Sequence, residues 1–267
     1  VQKAKNLYFL FVFMKPAVII ISVSFVLYAT FCAIMYLTQR RQIYFPTPES
    51  QNQATESFYL AVSGVSIKIW SLHKMHEPAI IYFGGNAEDV AVNLTGFDQL
   101  FPDYAIYLVN YRGYGGSNGK PSESALCTDA VAIFDFIAKK HPHISVIGRS
   151  LGSGVAAHLA SQRPVEKLTL VTPFASLAGV AQAHLPFLPV SFLIKDKYDS
   201  AALVPKIKAR TLIIIAEDDE IIPRRQSDKL SEQFTGKPYE VTVIAKAGHN
   251  TLDNHAHYNK TLEKFFH

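Results

Sequence analysis

Ile144-Ser145-Val146-Ile147-Gly148-Arg149-Ser150-Leu151-Gly152-Ser153-Gly154-Val155-Ala156 reads as a buried strand, a sharp turn and a helix of small residues. The G-x-S-x-G spacing at its centre has a mechanical reason. A serine on a strained strand-to-helix turn has its Oγ pushed clear of the sheet, and glycines two residues to either side let strand and helix approach closely. Ser150 is therefore a candidate nucleophile, provided the rest of the chain supplies the sheet and a base to take its proton.

Working outward from this turn, apolar runs at residues 57–62, 65–72, 79–83, 105–111, 144–149, 167–172, 211–216 and 240–244 read as eight strands. Ser63-Gly64 separates the first two, which suits a hairpin. The later runs are almost continuously apolar, as strands are when helices cover both faces of a parallel sheet. Helical patterns fit residues 89–100, 123–140, 151–161, 224–234 and 252–266. The alternation predicts an α/β fold with an eight-stranded, mostly parallel sheet and helices on both faces. The chain has 267 residues, of which 49% are hydrophobic, enough for a substantial core. Its net charge of +4 is small and its basic residues are scattered, which argues against a nucleic-acid partner.

A serine nucleophile needs a base and a carboxylate to orient that base, and on such a sheet they follow in the order Ser, Asp or Glu, His. The run 211–215 ends in Ala216-Glu217-Asp218-Asp219-Glu220-Ile221-Ile222-Pro223, which puts four carboxylates at the C-terminal end of a strand, the edge where open α/β sheets bind ligands. The next strand, 240–244, is followed by Ala247-Gly248-His249-Asn250, which brings an imidazole to the same edge. Of the ten histidines, His249 alone follows a late strand, so it is the candidate base. An oxyanion hole needs two backbone N–H groups, one from Leu151 after the serine and one from the loop Phe83-Gly84-Gly85-Asn86 at the end of the 79–83 strand. No H-E-x-x-H or C-x-x-C spacing occurs, so neither a metal nor an organic cofactor is expected.

Residues 17–37 contain no charge and no proline, and at ~1.5 Å per residue they make a helix of about 31 Å, the thickness of a bilayer's hydrocarbon core. A single transmembrane anchor is expected rather than a cleaved signal peptide, because the apolar stretch exceeds the usual signal length and no small-x-small cleavage site follows it. Lys3, Lys5 and Lys15 on one side face Arg40 and Arg41 on the other, so charge leaves the orientation open; the short N-terminal tail favours N-inside. The expected organisation is a tail over 1–16, the anchor over 17–37, a proline-punctuated linker over 38–56 and a catalytic domain over 57–267. Of the two cysteines, Cys32 lies in the span and Cys127 in the soluble part, so no disulfide is expected.

Asn110-Tyr111-Arg112-Gly113-Tyr114-Gly115-Gly116-Ser117-Asn118-Gly119-Lys120-Pro121-Ser122-Glu123, together with the elbow and the histidine turn, resembles the α/β-hydrolase superfamily, within it a subgroup of single-pass membrane hydrolases that includes protein depalmitoylases and lysophospholipid lipases. The similarity covers roughly residues 43–266. It implies an α/β-hydrolase fold with a short cap insert, with Ser150 as nucleophile and His249 as base. It also implies Asp219 as the acid, because the family's aspartate precedes proline in the register Asp219-Glu220-Ile221-Ile222-Pro223; Asp218 is the alternative. Tyr111, Arg112 and Tyr114 are read as bracing their loop. Gly84 departs from the family, where many relatives carry histidine before the glycine-asparagine pair.

Acyl ester, thioester or lysophospholipid substrates are favoured, since an anchor places the site beside acyl chains. The segment Leu185-Pro186-Phe187-Leu188-Pro189-Val190-Ser191-Phe192-Leu193-Ile194 offers Phe187, Leu188 and Phe192 as lining for an acyl pocket, or equally a buried helix packed on the sheet. A serine peptidase on the same fold is the enzymatic alternative, and a membrane-tethered binding scaffold the non-catalytic one.

Overall fold

The computed structural model describes residues 2–50 and 56–267, with side chains for Pro16 and from Val18 onward. Val1 and residues 51–55, which belong to the expected tail and linker, lie outside the described residues, as do the side chains of Lys3, Lys5 and Lys15. Helix α1 (Gln2–Ile43) precedes the sheet strands β1 (Ser57–Val62), β2 (Val65–Leu72) and β3 (Ala79–Phe83). Then come α2 (Leu94–Leu100), β4 (Ala105–Val109), α3 (Glu123–Ile137), β5 (Ile144–Arg149), α4 (Leu151–Gln162) and β6 (Lys167–Val171). Three short helices, α5 (Leu177–His184), α6 (Val190–Leu193) and α7 (Ser200–Leu203), form a cap insert before β7 (Arg210–Ala216), α8 (Arg224–Glu232), β8 (Tyr239–Ile244) and α9 (Ala256–Phe266).

The eight strands form one sheet in the order β1-β2-β4-β3-β5-β6-β7-β8, with β2 antiparallel to both neighbours and every later pair parallel. The strand order reverses between β3 and β5, and crevices form at such switch points beyond the C-terminal strand ends. The alternation of β3 shows how both faces are filled. Ala79, Ile81 and Phe83 join one core with α3 and α4, whereas Ile80 and Tyr82 join another with α2 and α9. Each fully buried isoleucine in these layers stabilises the fold by about 1.5–3 kcal/mol.

Several elements differ from the sequence-based boundaries: α2 starts at Leu94 instead of residue 89, β4 ends at Val109 instead of residue 111, and α9 starts at Ala256 instead of residue 252. The helical pattern expected over 123–140 stops at Ile137, the last residue of α3 that turns into the core. At the other end of the chain, α1 continues past the apolar stretch to Ile43, and its last turns lie against the cap. Tyr44, next in the chain, is buried, with its hydroxyl on Asp196 (3.2 Å) and Tyr198 (3.0 Å). Residues 18–43 form a helix long and apolar enough to cross a membrane, and the apolar window within it is fully exposed.

Candidate active site

Ser150 occupies the turn between β5 and α4 at φ +51°, ψ −115°, a conformation that an L residue adopts only under strain of about 1–3 kcal/mol. The turn is held from several sides. Ser150 N–H donates to the Val171 carbonyl of β6 at 2.9 Å, and the Ser153 hydroxyl donates to the Ser150 carbonyl at 2.6 Å. A Cβ on Gly152 would collide with the Phe83 carbonyl, and one on Gly148 with the Gly152 carbonyl. The two glycines are therefore what allow α4 to start directly against the ends of β3 and β5.

The imidazole of His249 faces the serine: its Nε2 lies 3.0 Å from Ser150 Oγ. On its other side Nδ1 lies 2.9 and 3.0 Å from the two carboxylate oxygens of Asp219. Both side chains are almost fully buried. Asp219 is itself fixed, its Oδ1 accepting the N–H groups of Ile221 (3.0 Å) and Ile222 (2.7 Å). Asp218 is exposed and contributes its backbone N–H to the Ala247 carbonyl instead. Ser150, Asp219 and His249 thus lie on three loops after β5, β7 and β8, brought together at one edge of the sheet. An imidazole held between a carboxylate and a hydroxyl can accept the hydroxyl proton while the carboxylate fixes its tautomer.

Two residues that sequence reasoning did not single out hold the histidine turn. The Arg149 guanidinium donates to the His249 carbonyl at 3.1 Å, and Glu220 accepts the His249 N–H at 3.0 Å. The only signal for them was adjacency: Arg149 lies within the elbow motif, and Glu220 within the carboxylate cluster.

Leu151 is the first residue of α4, so its N–H has no intrahelical partner and is available at the serine. Across from it, the loop 84–86 is clamped by contacts from distant parts of the chain. The Tyr111 hydroxyl donates to the Gly84 carbonyl (2.7 Å) and the Tyr114 hydroxyl to Asn86 Oδ1 (2.8 Å). Asn86 Oδ1 also accepts Phe45 N–H (3.0 Å), and Asn86 Nδ2 donates to the carbonyl of Ile43 (2.6 Å), the last residue of α1. Burial holds the Tyr111 phenol well above its ordinary pKa, so it stays a donor. Arg112 makes a bidentate pair with Asp129 of α3. All three side chains of the Tyr111-Arg112-Gly113-Tyr114 loop therefore brace structure.

Gly84 has a local explanation. A Cβ there would meet Val90 and the carboxylate of Glu88. Glu88 uses the space to accept the Gly85 N–H on Oε2, and the Tyr82 hydroxyl (2.6 Å) and Asn93 amide (2.7 Å) on Oε1. The Gly85 N–H is thus engaged by a carboxylate of its own loop.

The pocket at Ser150 has a volume of about 450 Å³, and its lining includes Phe45, Asn86, Glu88, Val92, Ile221 and His249. Phe187, Leu188 and Phe192 do not line it. Leu188 is buried at a separate apolar groove between α1 and the cap, while Phe187 and Phe192 are exposed. Among the described residues no group of three metal-ligating side chains comes together.

Residues 78–207 match a family model described as the alpha/beta hydrolase fold. An uncharacterised protein of Mycobacterium tuberculosis is 36% identical over 183 residues, 65% of this chain and 63% of that one. The chain thus spans slightly under two thirds of that relative's length. An uncharacterised protein of Acanthamoeba polyphaga mimivirus is 32% identical over 211 residues, 70% of this chain and 72% of that one. A lysophosphatidylserine lipase of Xenopus tropicalis, ABHD12, is 31% identical over 182 residues, 57% of this chain and 46% of that one. Among solved structures, an esterase of Pyrococcus furiosus superposes with a TM-score of 0.68 at 16% identity, covering 84% of this chain and 97% of that one. The eight-stranded, mostly parallel sheet with helices on both faces agrees with these likenesses, and the chain belongs to the α/β-hydrolase fold family.

Proposed function

We propose that this protein is a membrane-anchored serine hydrolase that cleaves acyl ester or thioester bonds. The observation that carries the reading is the unbroken series Asp219, His249 Nδ1, His249 Nε2 and Ser150 Oγ, each contact at 2.9–3.0 Å. In the first step Ser150 Oγ attacks the acyl carbonyl as His249 Nε2 takes its proton. The Leu151 and Asn86 N–H groups receive the developing oxyanion, and Gly85 shapes the loop that presents the second donor. His249 then protonates the departing alcohol or thiol, leaving an acyl-enzyme on Ser150. Water, deprotonated by His249, attacks that acyl group and releases the carboxylic acid with Ser150 restored.

The lipase among the relatives supports a lysophospholipid-like substrate, as does the exposed apolar face of residues 18–43 beside the catalytic domain. A binding scaffold has no use for a nucleophile, base and acid held in hydrogen-bonding order, which favours the enzymatic reading. The test is hydrolysis of a panel comprising a lysophospholipid, a long-chain acyl thioester, a short acyl ester and an aminoacyl amide, by the wild type and Ser150→Ala. Turnover of esters or thioesters that the variant lacks is the expected result. Cleavage of the amide alone would favour a peptidase, and equal turnover by the variant would remove Ser150 from the reaction.

A further inference from the structure

Helix α1 and the cap touch at successive heights along the helix. Nearest the catalytic domain, the Arg40 guanidinium pairs with both oxygens of the buried Asp196 carboxylate (2.9 and 3.1 Å). Beside it, the Gln39 amide donates to the Leu193 carbonyl (3.0 Å) and accepts the Lys195 N–H (2.7 Å). Further from the domain the Lys195 ammonium lies 3.9 Å from the centre of the Tyr36 ring. Beyond that, Phe31 stacks on Phe187 with ring centres 6.4 Å apart, and the Tyr28 hydroxyl donates to the Phe187 carbonyl at 2.9 Å. From Tyr36 to Tyr28 is about 12 Å of helix.

The chemistry of both elements sorts by the same height. On α1 the level of Tyr36, Arg40 and Arg41 carries the aromatic ring and cations typical of a headgroup zone, and the cap sets Lys195 and Asp196 beside it. At the level of Phe31 and Tyr28 the cap presents Phe187, which belongs to a segment, residues 185–194, that contains no charge. There Phe187 is 60% exposed and Phe192 87% exposed. Phe187 thus combines a stack on the span's Phe31 with a largely uncovered ring at the depth where the span itself would be surrounded by lipid, and Phe192 is uncovered in the same uncharged segment.

The backbone of this segment gives a second, independent observation. Irregular backbone survives in hydrocarbon only when its polar groups find partners within the protein. Pro186 and Pro189 have no N–H to satisfy. The Gln182 amide reaches the carbonyls of Leu185 (3.2 Å), Pro186 (3.4 Å) and Leu188 (3.1 Å), and Tyr28 takes that of Phe187. The Pro189 carbonyl accepts Phe192 N–H at 3.1 Å.

We infer that residues 185–194 of the cap are embedded in the acyl layer of the leaflet at the C-terminal end of α1, with Phe187 and Phe192 packed among phospholipid chains. The inference rests on α1 spanning a bilayer, as proposed above. It gives the apolar groove between α1 and the cap, about 200 Å³ and lined by Met35, Leu188, Val190 and Leu193, direct contact with membrane-dissolved acyl chains. Ile43 lies at that groove, and its carbonyl binds Asn86 at the Ser150 pocket, so the groove ends beside the catalytic edge.

The test is nitroxide accessibility in the full-length protein, reconstituted in phosphatidylcholine vesicles with Cys32→Ala as background. Cys127 is buried, which pushes its thiol up to about 12, so it stays unlabelled. Labels are placed singly by Phe192→Cys in the cap, Val26→Cys in the span and Met75→Cys on the exposed surface of the domain. The expected result is collision with a water-soluble nickel chelate roughly tenfold lower at positions 192 and 26 than at 75, because a polar chelate is excluded from hydrocarbon. Oxygen collision should be correspondingly higher at the two lipid positions. Nickel access at 192 matching that at 75, with position 26 still protected, would overturn the insertion and leave the anchor standing. Nickel access at both 192 and 26 would overturn the insertion and the anchor together.

Discussion

The two halves of the candidate site are built on different principles. The turn at Ser150 is determined locally: Gly148 and Gly152 remove the side chains that would keep α4 from the strand ends, and the strained φ of Ser150 follows from that close approach. The loop 84–86 opposite it is determined largely from a distance. It is held by Ile43 and Phe45 from the end of α1, by Tyr111 and Tyr114 from the loop after β4, and by Glu88 from its own downstream turn. A local device reads out in five residues of sequence, while a clamp made of long-range side-chain contacts reads out in none. The same contrast ties the 84–86 loop, through Ile43 and Phe45, to the end of α1, whereas the Ser150 turn is set by its own glycines.

Substitutions separate the two halves by size of effect. Asp219→Asn should lower kcat by about 10⁴-fold, the loss expected when the acid of a triad no longer fixes the histidine tautomer. Asp218→Asn, on an exposed side chain that does not reach His249, should leave activity within about twofold, in line with surface substitutions generally. Steady-state kinetics on a short acyl ester check the pair, and the reverse order would move the acid to Asp218.

Asn86→Ala tests the clamp. It removes the side chain on which Ile43, Phe45 and Tyr114 converge, and a loop displaced by about 1 Å should cost about 10²-fold in kcat with little change in KM. An unchanged kcat would mean that the 84–86 loop is rigid without its link to α1.

Glu88→Gln is subtler. The carboxylate accepts at both oxygens, whereas an amide has one acceptor and must turn its NH2 toward a donor; Gly85 N–H or the Tyr82 and Asn93 donors then lose a partner. A stability loss of about 1–3 kcal/mol in urea titration is expected, the range for a buried donor left unsatisfied. A smaller effect on the clamp belongs to Tyr114→Phe. It deletes one hydrogen bond to an oxygen that still accepts two backbone N–H groups, for about 1 kcal/mol and a kcat change of a few fold.

The same division explains what was readable from the chain. Central strands were legible because runs such as 79–83 and 211–216 are apolar on both faces and end in turn residues, and the order of Ser150, Asp219 and His249 was legible because each lies just beyond a strand end. Glu88, Arg149 and Phe45 were not, because their roles depend on where the fold carries them and leave no periodic trace. The cap segment stayed ambiguous for another reason. Its apolar residues suit a pocket or a packed helix equally, and only the structure shows Phe187 and Phe192 turned outward beside α1 while Leu188 turns in. The proline-rich stretch after α1 looked like a linker because prolines break regular structure, yet Tyr44 there is buried against Asp196 and Tyr198.

The central claim is that Ser150 is a nucleophile activated by His249, and covalent labelling tests it most directly. A fluorophosphonate probe should phosphonylate the protein at a single site, mapped by tandem mass spectrometry to the peptide containing Ser150. Ser150→Ala, with an unchanged circular dichroism spectrum, should show no adduct. An adduct on any other residue, or labelling that persists in the folded Ser150→Ala variant, would contradict the account.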